Sequence, residues 1–170
     1  MSLLKLNATT KDYLWGGNKL VDYYGKVPAG DVTAESWELS CYPGSESVIE
    51  NGEFAGKTIT EYIAEKGRGV LGSKCERFED FPVLIKFIDA KKDLSLQVHP
   101  SDEYARKNEN QYGKTEMWYI LEAEEGAFLY YGFNQKITKE EFARRIEEQT
   151  LTEVLNKCYV KRGDVVFIES

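Results

Sequence analysis

Cysteine and long apolar runs are both scarce in this chain of 170 residues. Its three cysteines, Cys41, Cys75 and Cys158, are odd in number, far apart, and form no CxxC pair. That pattern argues against a disulfide framework or a thiolate zinc site and predicts reduced, buried thiols. No apolar run approaches the roughly 20 residues that cross a bilayer, and the N-terminus lacks the apolar core of a signal peptide. We therefore expect a cytoplasmic protein without a membrane partner.

Positive charge is sparse as well. The net charge is -7, and no Lys/Arg-rich run occurs anywhere in the sequence. Without a basic footprint nothing attracts phosphate backbones, so nucleic acid is not an expected partner. An acidic balance leaves an anionic small substrate open, because a few cations placed in a cleft decide that locally.

The residues that are present predict one globular domain over residues 1–170. Hydrophobic residues make up 42% of the chain, and short strand-like runs are separated by Gly, Pro and Asn turns. This pattern predicts a mainly β fold of the sandwich or jelly-roll type with a few short helices. Helices are expected from 58 to 66, from Ser101, after the Thr138–Glu141 capping box, and from 151 to 155. The acidic connection 122–126 is expected to form a hairpin-like link between its flanking strands, and 161–164 is expected to be a tight turn between two strands.

Two predicted strands carry charged residues that need explanation. Val83–Ile88 is almost wholly apolar and is predicted to be buried on both faces, except that Lys86 interrupts it. Lys86 either packs its stem and extends its head to water, or it lines a pocket, and its position in mid-run favours the pocket. The alternation in Ala34–Ser40 predicts either an edge strand with one solvated face or a polar group at the rim of a site.

The single histidine lies in a third predicted strand, Leu94–His99. Alternation along a strand places Ser95, Gln97 and His99 on one face. Glu116 begins a further apolar strand, and Lys114 shares its face. An amide oxygen, an imidazole nitrogen and a carboxylate are ligand types that a divalent metal accepts. By themselves these residues leave two alternatives open, a metal site or a β-sandwich in which they never converge.

Three motifs resemble type I mannose-6-phosphate isomerase in its short bacterial form. They are Phe81–Lys86, Leu94–Pro100 with its Gln-Val-His-Pro sequence, and Gly113–Met117 with its Lys-x-Glu sequence. The shorter motifs at 15–17, 35–38 and 162–165 also fit, so the resemblance covers essentially the whole chain. The resemblance implies a cupin-type jelly roll, also described as a double-stranded β-helix barrel. It also implies one zinc ion per chain and interconversion of mannose 6-phosphate and fructose 6-phosphate.

The same resemblance assigns roles to six residues. It places the zinc ligands on Gln97, His99 and Glu116. It places the sugar-phosphate pocket on Ser95, Lys86 and Lys114, and the two lysines are the candidate catalytic residues. The general base is not assigned.

One feature of the family has no counterpart in this sequence. The family normally adds a second histidine ligand and a catalytic arginine further along the chain. We therefore expect the N-terminal part of such an enzyme, with weakened zinc retention and little isomerase activity by itself. The alternative is a non-catalytic cupin-like module that binds a sugar or a partner.

Overall fold

The structure is a computed structural model that describes residues 3–170; the first two residues of the N-terminal segment lie outside it. The strands are β1 Leu6–Asn7, β2 Thr9–Lys11, β3 Glu35–Leu39, β4 Val48–Ile49, β5 Ile85–Ile88, β6 Glu116–Tyr119, β7 Phe128–Phe133, β8 Leu155–Tyr159 and β9 Val165–Ile168. The α-helices are α1 Lys19–Asp22, α2 Ile59–Lys66, α3 Asp102–Asn108 and α4 Lys139–Glu147. Short 3₁₀ helices span Gly52–Phe54, Arg68–Leu71, Ser73–Cys75 and Leu151–Val154.

The chain divides into two compact units, Met1–Leu94 and Ser95–Ser170. In the first unit β2, β3 and β5 form an antiparallel sheet with β3 in the centre, and β1 pairs with β4. The edge-strand alternative for Ala34–Ser40 is therefore wrong. A strand with neighbours on both sides has its backbone groups paired inside the sheet, and Ala34 and Ser36 are fully buried there.

Strand β5 lies at an edge of that sheet, where it pairs with β3. The prediction that Val83–Ile88 is buried on both faces is wrong, because Val83 is 44% exposed and Ile85 is 50% exposed. A run of apolar residues resembles a central strand in sequence, but the number of covering elements decides its burial.

A pair of serines closes the bend between β3 and β4. The Ser40 amide donates to the Ser47 hydroxyl at 2.9 Å, and the Ser47 amide donates to the Ser40 carbonyl at 2.9 Å. Both serines are fully buried. Buried backbone groups need such partners, and these two bonds satisfy the backbone of the bend that follows β3.

The second unit is built from nested antiparallel strand pairs. The inner pair is β7 with β8, and the outer pair is β6 with β9. The connections between the pairs also run side by side, because the Ile120 amide donates to the Asp164 carbonyl and the Gly163 amide to the Ile120 carbonyl. The hairpin-like connection predicted at 122–126 is therefore wrong, whereas the tight turn predicted at 161–164 is present, with the Asp164 amide donating to the Lys161 carbonyl at 3.1 Å. Turn residues mark where the chain bends, but they do not determine which strand becomes the neighbour.

The predicted strand Leu94–His99 is also not formed. Its residues adopt no regular secondary structure, and β6, which follows it in the chain, takes β9 as its ladder partner. Alternating sequence alone does not make a strand, since a strand needs a neighbour to satisfy its backbone groups.

The predicted helices are all present. Thr58, Ser101 and Thr138 each accept a backbone N–H as the N-caps of α2, α3 and α4, and Gly67 ends α2. Helices contain 25% of the residues and strands contain 23%. The prediction of a mainly β fold is therefore corrected to a mixed fold. Among residues 3–170 the strands form four small sheets and no closed barrel.

Cys41, Cys75 and Cys158 are free, and all three are half-buried rather than buried. In the described part of the chain no helix combines the length and the apolar character that a membrane crossing requires.

Removing the Ser47 hydroxyl tests the β3–β4 bend. Ser47→Ala leaves the buried Ser40 amide without its side-chain acceptor, so we expect a loss of about 1–3 kcal/mol in unfolding free energy. Urea denaturation followed by circular dichroism measures it. The exposed Ser73→Ala is the matched control and should leave the urea midpoint unchanged. Equal midpoints for the two variants would contradict this role.

Candidate functional site

Gly113 holds two segments of the second unit together. Its amide donates to the Asp102 carboxylate at 2.7 Å, and the Lys114 amide donates to the Pro100 carbonyl at 3.0 Å. A Cβ at position 113 would lie 2.6 Å from the Asp102 nitrogen and 2.7 Å from the Pro100 oxygen. Only glycine permits this approach. The contact anchors the residues that follow His99 beside the residues that precede Glu116.

A connected set of polar side chains lies next to this contact. The Lys114 ammonium is 2.5 Å from Gln97 Oε1 and 3.3 Å from Glu116 Oε1. The Gln97 amide nitrogen in turn donates to the Ser95 hydroxyl at 3.3 Å. With His99, which lies 3.2 Å from Glu116, the structure brings together five of the six site residues predicted from the sequence, although the strand expected to carry three of them is absent.

His99 and Glu116 form the most buried part of the set. His99 Nε2 lies 3.2 Å from Glu116 Oε2, with 12% and 22% of the respective side chains exposed. Within residues 3–170, this Nε2 is buried without a hydrogen bond of acceptable geometry. A buried polar atom without a hydrogen bond is costly, and in native proteins it often marks a ligand position.

The Glu116 carboxylate is held in its charged form. Burial raises the pKa of Glu116, but the Trp118 indole N–H at 2.9 Å and the Lys114 charge outweigh burial, and the pKa lies below its usual range. A carboxylate that stays ionised is available to a cation at neutral pH.

The donor set fits a divalent cation. Two of its oxygens, Gln97 Oε1 and Glu116 Oε1, already face one positive charge on Lys114. The nitrogen of His99 and these oxygens are ligand types that zinc accepts. In the described part of the chain, no three His, Cys, Asp or Glu residues group as metal ligands do, and the third polar donor beside His99 and Glu116 is the amide of Gln97.

The sixth predicted residue, Lys86, lies on β5 in the first unit. Its ammonium is 3.0 Å from the Glu35 carboxylate, which is only 6% exposed, and the Trp37 indole N–H donates to the same carboxylate at 2.7 Å. The Lys86 side chain keeps 27% of its surface exposed. Lys86 is thus a cation paired with a buried acid, an arrangement that neither sequence alternative included.

Three residues were missed from the sequence. Gly113 was noted only as part of a motif, Glu35 was not paired with Lys86, and Trp118 was not considered as a donor. A signal for the last two was present, because Glu and Trp occur two residues apart in both Glu35–Trp37 and Glu116–Trp118. Residues two apart on a strand share a face and can contact each other.

Comparisons with known proteins agree with the resemblance. Residues 3–130 match the family model of the phosphomannose isomerase type I catalytic domain. Because this match covers most of the chain, the chain belongs to the type I phosphomannose isomerase family. The family prediction is confirmed.

Individual relatives support this membership. The chain is 39% identical to mannose-6-phosphate isomerase ManA of Bacillus subtilis over 161 residues, covering 94% of this chain and 50% of ManA. It is 38% identical to mannose-6-phosphate isomerase of Streptococcus mutans over 157 residues, covering 92% and 48%. The crystal structure of the mannose 6-phosphate isomerase from Bacillus subtilis matches with a TM-score of 0.90 and 35% identity, covering 100% of this chain and 53% of that one. The chain spans about half the length of these relatives.

A methyl group at position 113 tests the backbone contact. Gly113→Ala places a Cβ against backbone atoms that cannot rotate away, so we expect a loss of about 1–3 kcal/mol in unfolding free energy. Thermal denaturation measures it. Gly69→Ala is the control, because a Cβ there meets nothing within 4 Å. A Gly113→Ala melting temperature equal to that of Gly69→Ala would refute the contact.

Removing the Lys86 charge tests its pairing with Glu35. Lys86→Met leaves a buried carboxylate with only the Trp37 donor, so we expect a loss of about 1–3 kcal/mol in unfolding free energy. The double variant Glu35→Gln/Lys86→Met should recover much of that loss, because a neutral amide still accepts from Trp37. Urea denaturation compares both. If the double variant loses as much unfolding free energy as the single variants Lys86→Met and Glu35→Gln lose in sum, the pairing is not what stabilises this sheet.

Proposed function

We propose that this chain forms the catalytic-domain part of a metal-dependent aldose-ketose isomerase that interconverts mannose 6-phosphate and fructose 6-phosphate. Family membership supports the reaction. The substrate is supported by the names of relatives of which this chain covers about half the length. The observation that carries the site is the buried, unbonded Nε2 of His99 facing the ionised Glu116.

One zinc ion per chain is the cofactor of this proposal, held by Gln97, His99 and Glu116. Bound zinc would supply a Lewis acid that polarises the carbonyl or hydroxyl oxygens of the sugar. For the ion to bind, Gln97 Oε1 has to exchange the Lys114 ammonium for the metal, which leaves Lys114 beside the ligands as a second positive charge.

Lys114 and Ser95 are the substrate-facing residues of the second unit in this proposal. The Lys114 side chain is 42% exposed, so it can contact the ligands and a bound anion at once. A cation in this position stabilises the negative charge that develops on an enediolate, or binds the phosphate. Lys114 therefore has the catalytic role and a substrate-binding role, and the Ser95 hydroxyl contributes a hydrogen bond.

Lys86 is the second catalytic and substrate-binding candidate. Its charge is balanced by Glu35, so a phosphate would share the ammonium with a buried carboxylate rather than meet a free cation. Glu35 then restricts where the ammonium can lie, which favours orientation of the substrate over tight binding.

We also propose that the chain forms part of a cupin-type barrel. Nested antiparallel pairs, as in β6–β9 around β7–β8, are what a rolled-up jelly roll requires, and they support a cupin-type barrel. One cytoplasmic domain over residues 1–170 stays a prediction from the sequence.

Metal titration tests the ligand set. Gln97→Ala and Glu116→Ala should each weaken zinc binding by about tenfold or more, because each removes one ligand from a set of three. Isothermal titration calorimetry of the purified chain measures this. Glu124→Ala, on the exposed 122–126 connection, is the control and should bind zinc as the unchanged chain does. Zinc binding that survives both ligand variants would refute the set.

The reaction is tested by following fructose 6-phosphate formation from mannose 6-phosphate with the zinc-loaded chain. Because the second histidine ligand and the catalytic arginine that the resemblance implies have no counterpart in this sequence, which contains one histidine, we expect binding of the sugar phosphate with turnover well below that of the Bacillus subtilis enzyme. Sugar-phosphate binding that needs no zinc would favour the non-catalytic cupin-like module. Failure to bind either zinc or sugar phosphate would overturn the proposed function.

A further inference from the structure

The Glu116 carboxylate has two anchors of different stiffness. Trp118 Nε1 donates to Oε2 at 2.9 Å, and the Lys114 ammonium lies 3.3 Å from Oε1. Lysine carries its charge on a flexible four-carbon stem, and this one is 42% exposed. An indole has two side-chain torsions, so once its strand is paired its N–H has little freedom. Trp118 is therefore the rigid anchor.

Strand β6 places Trp118 on the more buried of its two faces. Glu116 and Trp118 lie opposite Ile168 and Val166 of β9, and these four residues are partly buried. The alternate residues of the same two strands, Met117, Tyr119, Val165 and Phe167, are between 56% and 62% exposed. The indole N–H thus acts in a partly desolvated place, where a hydrogen bond to a charged group is stronger than in water.

The same arrangement occurs independently in the first unit. On β3 the Trp37 indole N–H donates to Glu35 Oε2 at 2.7 Å, and a lysine ammonium holds the other oxygen at 3.0 Å. Tryptophan two residues after a glutamate on a strand is therefore a repeated way of orienting a carboxylate in this chain. In the first unit the oriented carboxylate pairs with a lysine, and in the second it faces His99.

We propose that Trp118 is a positioning residue that holds the Glu116 carboxylate in the orientation that binds the metal ion. This inference rests on the proposed function, since it needs Glu116 to be a ligand. A hydrogen bond to one oxygen stops rotation of the carboxylate, so less freedom is lost when a metal binds. Groups that orient metal ligands in this way typically contribute about 10- to 100-fold to metal affinity.

Cobalt(II) titration of the purified chain tests the inference. Trp118→Phe keeps an aromatic ring and removes the donor, and we expect its Kd for cobalt to rise about 10-fold or more. Benzothienylalanine at position 118 keeps the shape of the indole and replaces the N–H by sulfur, so it should give the same rise. If Trp118→Phe fails to fold, as judged by circular dichroism, the benzothienylalanine protein decides the outcome.

Two further variants separate positioning from packing. In a Glu116→Ala background, Trp118→Phe should weaken cobalt binding no further, because the indole acts through the carboxylate. Trp37→Phe removes the equivalent donor in the first unit and should leave cobalt affinity unchanged. Wild-type affinity in the benzothienylalanine protein, or an equal loss with and without Glu116, would overturn the role of Trp118 while the metal site stands. Absence of cobalt binding by the unchanged chain would overturn the metal site and the inference together.

Discussion

The candidate site depends on the close approach of two backbone segments at Gly113. The segment that carries Gln97 and His99 has no strand partner of its own, so a sheet does not hold it in place. Contacts of Gly113 and Lys114 with Asp102 and Pro100 take over that task. The N-cap of α3 at Ser101 is part of the same contact region, so a helix start and a tight glycine together anchor the irregular segment that bears the histidine.

Two buried carboxylates, one in each unit, are stabilised by the same kinds of donor. Glu35 and Glu116 each lie in a place that burial alone would make unfavourable for charge, and each receives an indole N–H and an ammonium. The difference lies in what faces the carboxylate next. The two Glu35 oxygens are paired with the Trp37 indole N–H and the Lys86 ammonium. Glu116 also faces an imidazole nitrogen without a hydrogen bond.

The sequence predicted the local features better than the pairing. Helices α2, α3 and α4 were predictable because Thr58, Ser101 and Thr138 act on donors within three residues of themselves. The grouping of Gln97, His99 and Glu116 was suggested by ligand type and by resemblance, although the strand assumed for two of them does not exist. The partner of β6 was mispredicted, because a turn signal carries no information about a strand about 50 residues away. The exposure of Ile85 and the pairing of Lys86 with Glu35 likewise depend on elements distant in sequence.

The nested strand pairs have a consequence for the order of folding. Joining β6 directly to β9 would close one long loop from 120 to 164, at an entropic cost that grows with loop length. Once β7 has paired with β8, only the connections 120–127 and 160–164 remain to be ordered. The outer pair can then form by zipping outwards from the inner one. Glu116 and Trp118 lie on that outer pair, so folding in this order would orient the carboxylate only after the inner strands have formed.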